Sequence, residues 1–152
     1  METTSPGSGR TIEKAMFIRA TPQRVFRALT DPSELEKWFV SKAEVDLRPG
    51  GTLKFTWREG EVAEGVFLLI VPPHRLSFRW QMGENLGETI VTIELTPQGE
   101  DTQVRLVETG WGVGDDWDRL YNAVDAGWSF FFERLVVWLE EGREGARSCI
   151  CH

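Results

Sequence analysis

The last third of the chain carries the clearest hydrophobic pattern. Residues 115–141 contain no proline, and apolar side chains recur there at intervals of three and four, as on one face of an α-helix. About 27 residues at ~1.5 Å each give a rod of roughly 40 Å. Phe130 and Phe132 widen the apolar surface beyond a narrow stripe. The pattern therefore predicts one long helix that needs a large concave partner. Its core positions are Leu120, Val124, Gly127 with Trp128, Phe131, Leu135 and Trp138.

The middle of the chain alternates between apolar and polar residues, which predicts half-buried strands. In one segment Leu53, Phe55 and Trp57 share a face, and in another Leu76, Phe78 and Trp80 do. Turns of two to five residues separate these segments, so consecutive strands must pair antiparallel. The predicted strands cover residues 12–20, 43–47, 52–58, 62–71, 75–82, 88–96 and 102–109.

Two proline-containing motifs predict short helices after the first strand. Thr21 precedes Pro22, and Asp31 precedes Pro32, so each helix has a capping residue and a proline at its first position. Glu34 stands where a capping box would place it. For the long helix, Asp115 or Asp116 is the predicted cap. The elements together predict an α+β domain, a strongly curved antiparallel sheet of about six to seven strands around a long C-terminal helix.

Composition limits the class of protein. With 152 residues the chain has the length of a single domain, which we place at residues 12–141, between a disordered arm (1–11) and a flexible tail (142–152). The net charge of −7 argues against a nucleic-acid partner. No stretch is long and apolar enough to span a membrane, and the first residues lack a secretory signal, so we expect a cytoplasmic protein.

The cysteines lie at the end of the chain. Cys149, Cys151 and His152 offer three soft ligands, whereas a structural zinc site needs four. We therefore expect no metal and no other cofactor.

Several phrases of the sequence resemble a known family. They are TPQRVFRALTDPSELEKWF (21–39), RPGGTLKF (48–55), VPPHRLSFRW (71–80), TIVTIEL (89–95), DTQVRLVETG (101–110) and GWSFFFERLVVWLE (127–140). In this order they are similar to the START-like (SRPBCC) superfamily, and to its subgroup homologous to the activator of the heat-shock protein ninety ATPase. The resemblance covers about residues 12–141. It implies a helix-grip fold with a cavity between the sheet and the last helix, in a group that includes lipid carriers, polyketide cyclases and chaperone co-activators.

Glu108 is the sharpest candidate for chemistry. Alternation places its carboxyl on the apolar face with Val104 and Leu106, where it must be paired, solvated at a cavity mouth, or have a raised pKa. We expect it near the cavity entrance as a polar anchor or general base for a ligand; otherwise it is a strand-end residue that reaches water or an arginine. Tyr121, the only tyrosine, is a candidate hydroxyl for the pocket.

An aromatic wall is the second candidate. Its rings either line a cavity or form plain core, and we place Trp38 and Trp111 at the cavity entrance because both stand at the ends of elements. The predicted ligand-binding residues are Trp38, Phe55, Trp57, Phe78, Trp80, Glu108, Trp111, Tyr121, Trp128 and Phe131.

Three functions stay open. The first is binding of a small hydrophobic or aromatic molecule, favoured by the aromatic helix facing an aromatic sheet. The second is a cyclase or dehydratase that uses Glu108 and Tyr121 as acid and base. The third is a protein-interaction module with a chaperone as its partner, or a homodimer. A second polar group converging on Glu108 inside the cavity would favour the enzyme.

Overall fold

The computed structural model describes residues 9–82 and 86–142, without the side chain of Met82. Seven strands form one antiparallel sheet in the order β1-β7-β6-β5-β4-β3-β2. The predicted α+β helix-grip architecture is confirmed, including the two short helices after the first strand. Most of the predicted arm and tail, with Cys149, Cys151 and His152, lies outside the described residues. The elements are β1 (Ile12–Ile18), α1 (Pro22–Thr30), α2 (Pro32–Trp38), β2 (Lys42–Val45), β3 (Thr52–Thr56), β4 (Val62–Val71), β5 (Arg75–Met82), β6 (Thr89–Gln98), β7 (Asp101–Thr109) and α3 (Asp115–Glu141).

The two short helices begin as their sequences predict. The Thr21 hydroxyl accepts the backbone N–H of Arg24 at 3.2 Å, and the Asp31 carboxylate accepts that of Ser33 at 2.8 Å. The predicted capping box at Glu34 is wrong. The Glu34 carboxylate instead accepts hydrogen bonds from Arg24 and Arg27 of α1 and from the indole of Trp138 on α3. Hydrogen bonds from charged donors are stronger than the single backbone N–H bond of a capping box.

The long helix covers the predicted residues 115–141, but the predicted caps are wrong. Gly114 occupies the cap position and makes no side-chain hydrogen bond there. Asp115 and Asp116, the predicted caps, lie inside the first turn with Asp118. Carboxylates in this turn stabilise the helix through its dipole without capping it.

The inward face of the sheet carries the large apolar residues that alternation predicted. Gly65 on β4 sits directly opposite Trp80 on β5. A side chain at Gly65 would overlap the backbone of Arg79 and Trp80, so only glycine allows β4 and β5 this close approach. Trp80 in turn pairs with Thr89 of β6, and Val91 of β6 pairs with Glu108 of β7. This register brings the functional side chains described below onto one end of the sheet.

The inner side of α3 packs onto this face through Val124, Trp128, Phe132 and Leu135, all buried. Burial of Trp128 confirms the prediction for that residue. Phe131, which was predicted to be buried, is only half-buried. Phe132 occupies the core position instead. The steps of four from Val124 to Trp128 and on to Phe132 keep one helical face toward the sheet and turn Phe131 to its flank.

Polar contacts hold α3 near both of its ends. Toward the N-terminus, Asp118 pairs with Arg10 at 2.9 Å and Asp125 pairs with Lys14 at 3.0 Å. Toward the C-terminus, the Trp138 indole donates to the Glu34 carboxylate at 2.9 Å. Within the described residues, no helix is long and apolar enough to cross a membrane.

Candidate functional site

A cleft opens between the flank of α3 and the turn that joins β3 to β4. Its volume is about 210 Å³, below the ~300–1,000 Å³ of sites for drug-sized ligands, so it suits a molecule of about two fused rings. Most of its wall is apolar, and its two charged residues stand in the turn. The lining residues are Phe39, Trp57, Glu59, Glu61, Trp80, Leu120, Ala123, Val124, Gly127, Trp128 and Phe131.

Stacked rings form the floor of the cleft. Trp128 lies between Phe39, with centroids 5.6 Å apart and ring planes 14° apart, and Trp80, at 5.8 Å and 23°. Trp57 and Phe131 meet Phe39 edge-on, at 5.4 and 5.1 Å. These separations fall in the range where aromatic rings attract each other beyond simple burial. The floor is therefore a fixed aromatic surface.

Two small residues on α3 make the cleft possible. Ala123 and Gly127 stand one turn apart on the side of the helix that faces the turn. A β-carbon built on Gly127 meets no other atom within 4 Å. Larger side chains at these positions would fill the gap, so the missing side-chain volume is what leaves this flank of α3 open.

Glu108 lies beneath this floor and not beside the ligand space. Its side chain is only 1% exposed, so the expectation that it stands near the cavity entrance is wrong. One carboxylate oxygen accepts the indole N–H of Trp128 at 2.8 Å. The other accepts the indole N–H of Trp80 at 3.1 Å and the hydroxyl of Thr89 at 2.6 Å. The carboxylate thus ties the two floor tryptophans to the sheet from behind.

The charge state of Glu108 follows from these neighbours. Burial raises the pKa of the Glu108 carboxyl, and the hydrogen bonds from Thr89, Trp128 and Trp80 oppose that rise. An indole N–H can only donate, so two of the three partners require an oxygen that accepts. Thr89 is the one partner of the three that could accept the carboxyl proton, because its hydroxyl both donates and accepts.

The structure brings four of the ten predicted site residues to the cleft, namely Trp57, Trp80, Trp128 and Phe131. Phe55 and Phe78 pack edge-on against Trp80 in the core behind it. The predicted entrance positions of Trp38 and Trp111 are wrong, because each is 1% exposed. Their indoles donate to buried backbone carbonyls, of Ala28 at 2.9 Å and of Glu108 at 3.1 Å, which fixes them in the interior.

Tyr121 is held away from the cleft. Its hydroxyl donates to the backbone carbonyl of Thr11 at 2.8 Å, and the guanidinium of Arg10 covers its ring at 4.6 Å. The Tyr121 ring also meets Trp111 edge-on. Tyr121 therefore joins α3 to the start of β1, and the structure does not pair it with Glu108.

Sequence reasoning missed the residues that shape the opening. Ala123 and the turn acids Glu59 and Glu61 were not predicted to belong to the site. Gly127 itself carried a signal for the opening. Glycine in the middle of a helix costs about 1 kcal/mol of stability relative to alanine, so its presence there points to a need for space.

A larger, open depression of about 900 Å³ lies on the outward face of β2 to β5. Its wall includes the exposed side chains of Lys54, Glu64 and Glu88. Such a surface is hydrated and charged, so it does not offer the apolar enclosure of the cleft under α3.

The model of one protein family, described as activator of Hsp90 ATPase homolog 1-like protein, matches residues 19–140. The chain belongs to this family. The match spans both short helices, the sheet from β2 onward and nearly all of α3. The resemblance to the START-like superfamily is thereby confirmed. No functionally curated protein matches the sequence.

Solved structures of relatives share the fold of this family member. Protein MLL2253 from Mesorhizobium loti is 28% identical, with a TM-score of 0.78 over 87% of this chain and 98% of its own. DynU16, from the dynemicin biosynthetic locus, is 25% identical with a TM-score of 0.77; the match covers 89% of this chain and 49% of DynU16. The Aha1 dimer from Colwellia psychrerythraea is 23% identical, with a TM-score of 0.75 over 88% of this chain and 98% of its own. At this identity it supports the fold alone.

Proposed function

We propose that this protein binds a small, flat, mainly apolar molecule in the cleft between α3 and the β3–β4 turn. The observation that carries the proposal is the rigid ring floor, Phe39, Trp128 and Trp80, opening into about 210 Å³ beside Ala123 and Gly127. A flat ligand gains dispersion and stacking energy on such a floor, at about 25 cal/mol for each Å² of apolar surface that leaves water.

The role of Glu108 in this proposal is to position the floor. Its carboxylate fixes the indole edges of Trp80 and Trp128, which holds these rings in place beside the cleft. A group that acts through two rings in this way is a positioning residue. Thr89 is the second polar group on Glu108, but neither residue lines the cleft, so the cyclase or dehydratase alternative gains no support from this geometry.

The comparisons support ligand binding in a limited way. DynU16, at 25% identity, is a protein of a biosynthetic locus, which agrees with a small-molecule role for a protein of this fold. The alternatives of a chaperone partner and of a homodimer rest on the names of relatives, the family description and the Colwellia dimer. The cleft favours the small molecule.

A titration with 2-naphthamide, a neutral two-ring aromatic, tests the proposal. We expect the indole N–H signals of Trp57, Trp80 and Trp128 to shift in two-dimensional NMR spectra, and the tryptophan fluorescence to change with the same Kd. Ala123→Leu should abolish both effects by filling the cleft, while Ser129→Leu, at an exposed position outside the cleft on the same helix, should leave them intact. Unchanged spectra at millimolar 2-naphthamide would refute the proposal.

A further inference from the structure

A second groove adjoins the cleft on the side of α2. Its volume is about 360 Å³, and it lies between α2, the β3–β4 turn and the middle of α3. Four residues line both spaces, namely Phe39, Trp57, Glu59 and Phe131, so the groove continues the cleft past the edges of these rings. A ligand seated on the ring floor can therefore extend one end into the groove.

The groove differs from the cleft in its charges. Lys37, Arg58 and Arg134 line it, against the carboxylates of Glu36 and Glu59. Glu36 also accepts the backbone N–H of Ala43 at 3.0 Å, so one of its oxygens is already in use. The charged residues of the cleft itself are two glutamates. In a chain of net charge −7, three cations around one groove make it the more favourable side for a negative group.

The position of Arg134 strengthens this polarity. Its guanidinium lies over the rings of Phe130 and Phe131, at 5.6 and 5.5 Å from their centroids. Phe131 also lines the cleft, so the cation stands at the junction of the two spaces. A planar guanidinium at an aromatic wall suits recognition of a carboxylate carried by a flat ring system.

We propose that the ligand is an amphipathic aromatic anion, with its rings on the Phe39–Trp128–Trp80 floor and a carboxylate or similar oxyanion in the groove at Arg134, Arg58 and Lys37. The inference rests on the proposed function and names its ligand class. Of the two turn acids, Glu59 lines both spaces, while Glu61 lines only the cleft and so stands outside the groove that takes the charged end.

Two probes that differ only in charge test the inference. 2-Naphthoate and 2-naphthamide have nearly the same shape, and their Kd values are compared by calorimetry at pH 7. A charge-assisted hydrogen bond at a partly exposed site predicts a naphthoate Kd about 3–10-fold lower than that of naphthamide. Raising the salt to 0.5 M should shrink this difference and leave naphthamide unaffected.

Matched variants assign the effect to the groove. Arg134→Gln and Arg58→Gln should each weaken naphthoate and leave naphthamide unchanged. Arg119→Gln, the control, removes the same charge from an exposed position of α3 outside both spaces and should change neither Kd. Naphthamide reports on the cleft alone, so a variant that fails to fold is recognised by its loss of naphthamide binding. If Arg134→Gln fails to fold, Arg58→Gln, at the exposed turn, takes its place.

The outcomes separate the inference from the proposed function. Equal Kd values for the two probes, or a naphthoate difference that survives both groove variants, would overturn the inference and leave ligand binding standing. Tighter binding of 2-naphthylmethylamine than of naphthoate would also overturn it, since that result would assign the charged end to Glu59 and Glu61. Failure of every probe to bind would overturn the proposed function and the inference with it.

Discussion

Replacing Gly127 by alanine should stabilise the protein and weaken its ligand binding at the same time. Glycine in a helix interior costs about 1 kcal/mol relative to alanine, because the unfolded chain loses more freedom at glycine. Gly127 lies in the middle of α3, and a β-carbon there meets no atom within 4 Å, so the methyl group adds no clash. We expect the free energy of unfolding to rise by about 0.5–1 kcal/mol, which corresponds to roughly 1–4 °C in Tm for a domain of this size.

The same methyl group enters the space that the ligand needs. Gly127 lines the cleft next to Trp128, so a ligand that sits against the ring floor must move outward to avoid the new carbon. Losing part of the stacking contact predicts a roughly 5–10-fold weaker Kd for 2-naphthamide, about 1–1.4 kcal/mol. Gly127→Leu fills more of the cleft and should abolish binding.

Thermal unfolding followed by circular dichroism and a calorimetric Kd measure the two effects on one sample. Ser129→Ala is the control, because it improves helix propensity by up to about 0.5 kcal/mol at an exposed position outside the cleft. It should raise Tm slightly and leave Kd unchanged. A lower Tm for Gly127→Ala would show that the flank of α3 is packed and not open. An unchanged Kd would show that the ligand does not touch this flank.

Three further substitutions test the interior. Glu108→Gln should lower the free energy of unfolding by about 1–3 kcal/mol at pH 7, because an amide turns one N–H donor toward an indole that also donates. Burial raises the pKa of Glu108 in the folded protein above its ordinary 4.5. The stability that this group contributes to the wild type should therefore fall as the pH rises from 4.5 through the folded-state pKa. Because Glu108→Gln lacks this titration, the same dependence of unfolding free energy on pH in the variant and the wild type would contradict the reasoning. Trp128→Ala should cost about 3–5 kcal/mol, measured by urea unfolding, and a cost under 1 kcal/mol would contradict its burial. Glu34→Gln should cost about 1–3 kcal/mol of unfolding free energy at pH 7 and less in acid. Burial opposes ionisation of Glu34, but the hydrogen bonds from Trp138, Arg24 and Arg27 outweigh it and lower the pKa of Glu34, so its contribution is lost as the pH falls below 4.5. A cost that does not depend on pH would refute the pairing.

The fold was largely predictable because its signals are local. The three- and four-residue spacing in residues 115–141 gave the limits of α3, and alternation gave the strands. Thr21 and Asp31 act as predicted, because a cap needs only its own neighbours. Glu34 did not, because its partners Arg24 and Trp138 come from other elements, and sequence spacing does not show which helix will pack there.

The site was harder to predict than the fold. Alternation placed Glu108 on the inward face, which the structure confirms, but it carries no information on depth, so the carboxyl was expected at an entrance and lies under the floor. Its donors come from β5, β6 and α3 through strand register and helix docking. The cleft depends on side chains that are small, Ala123 and Gly127, and hydrophobic patterns give such positions little weight.

The two-ended attachment of α3 has a consequence for how a ligand enters. Asp118 fastens the first turn of the helix to Arg10, and Trp138 fastens the far end to Glu34, while the cleft-lining residues of α3 lie between these two positions. With both ends of the helix held in place, we expect a ligand to enter from the open flank of α3 without displacing the helix. Little ordering entropy is left to lose on binding, so we expect fast association and a small structural response.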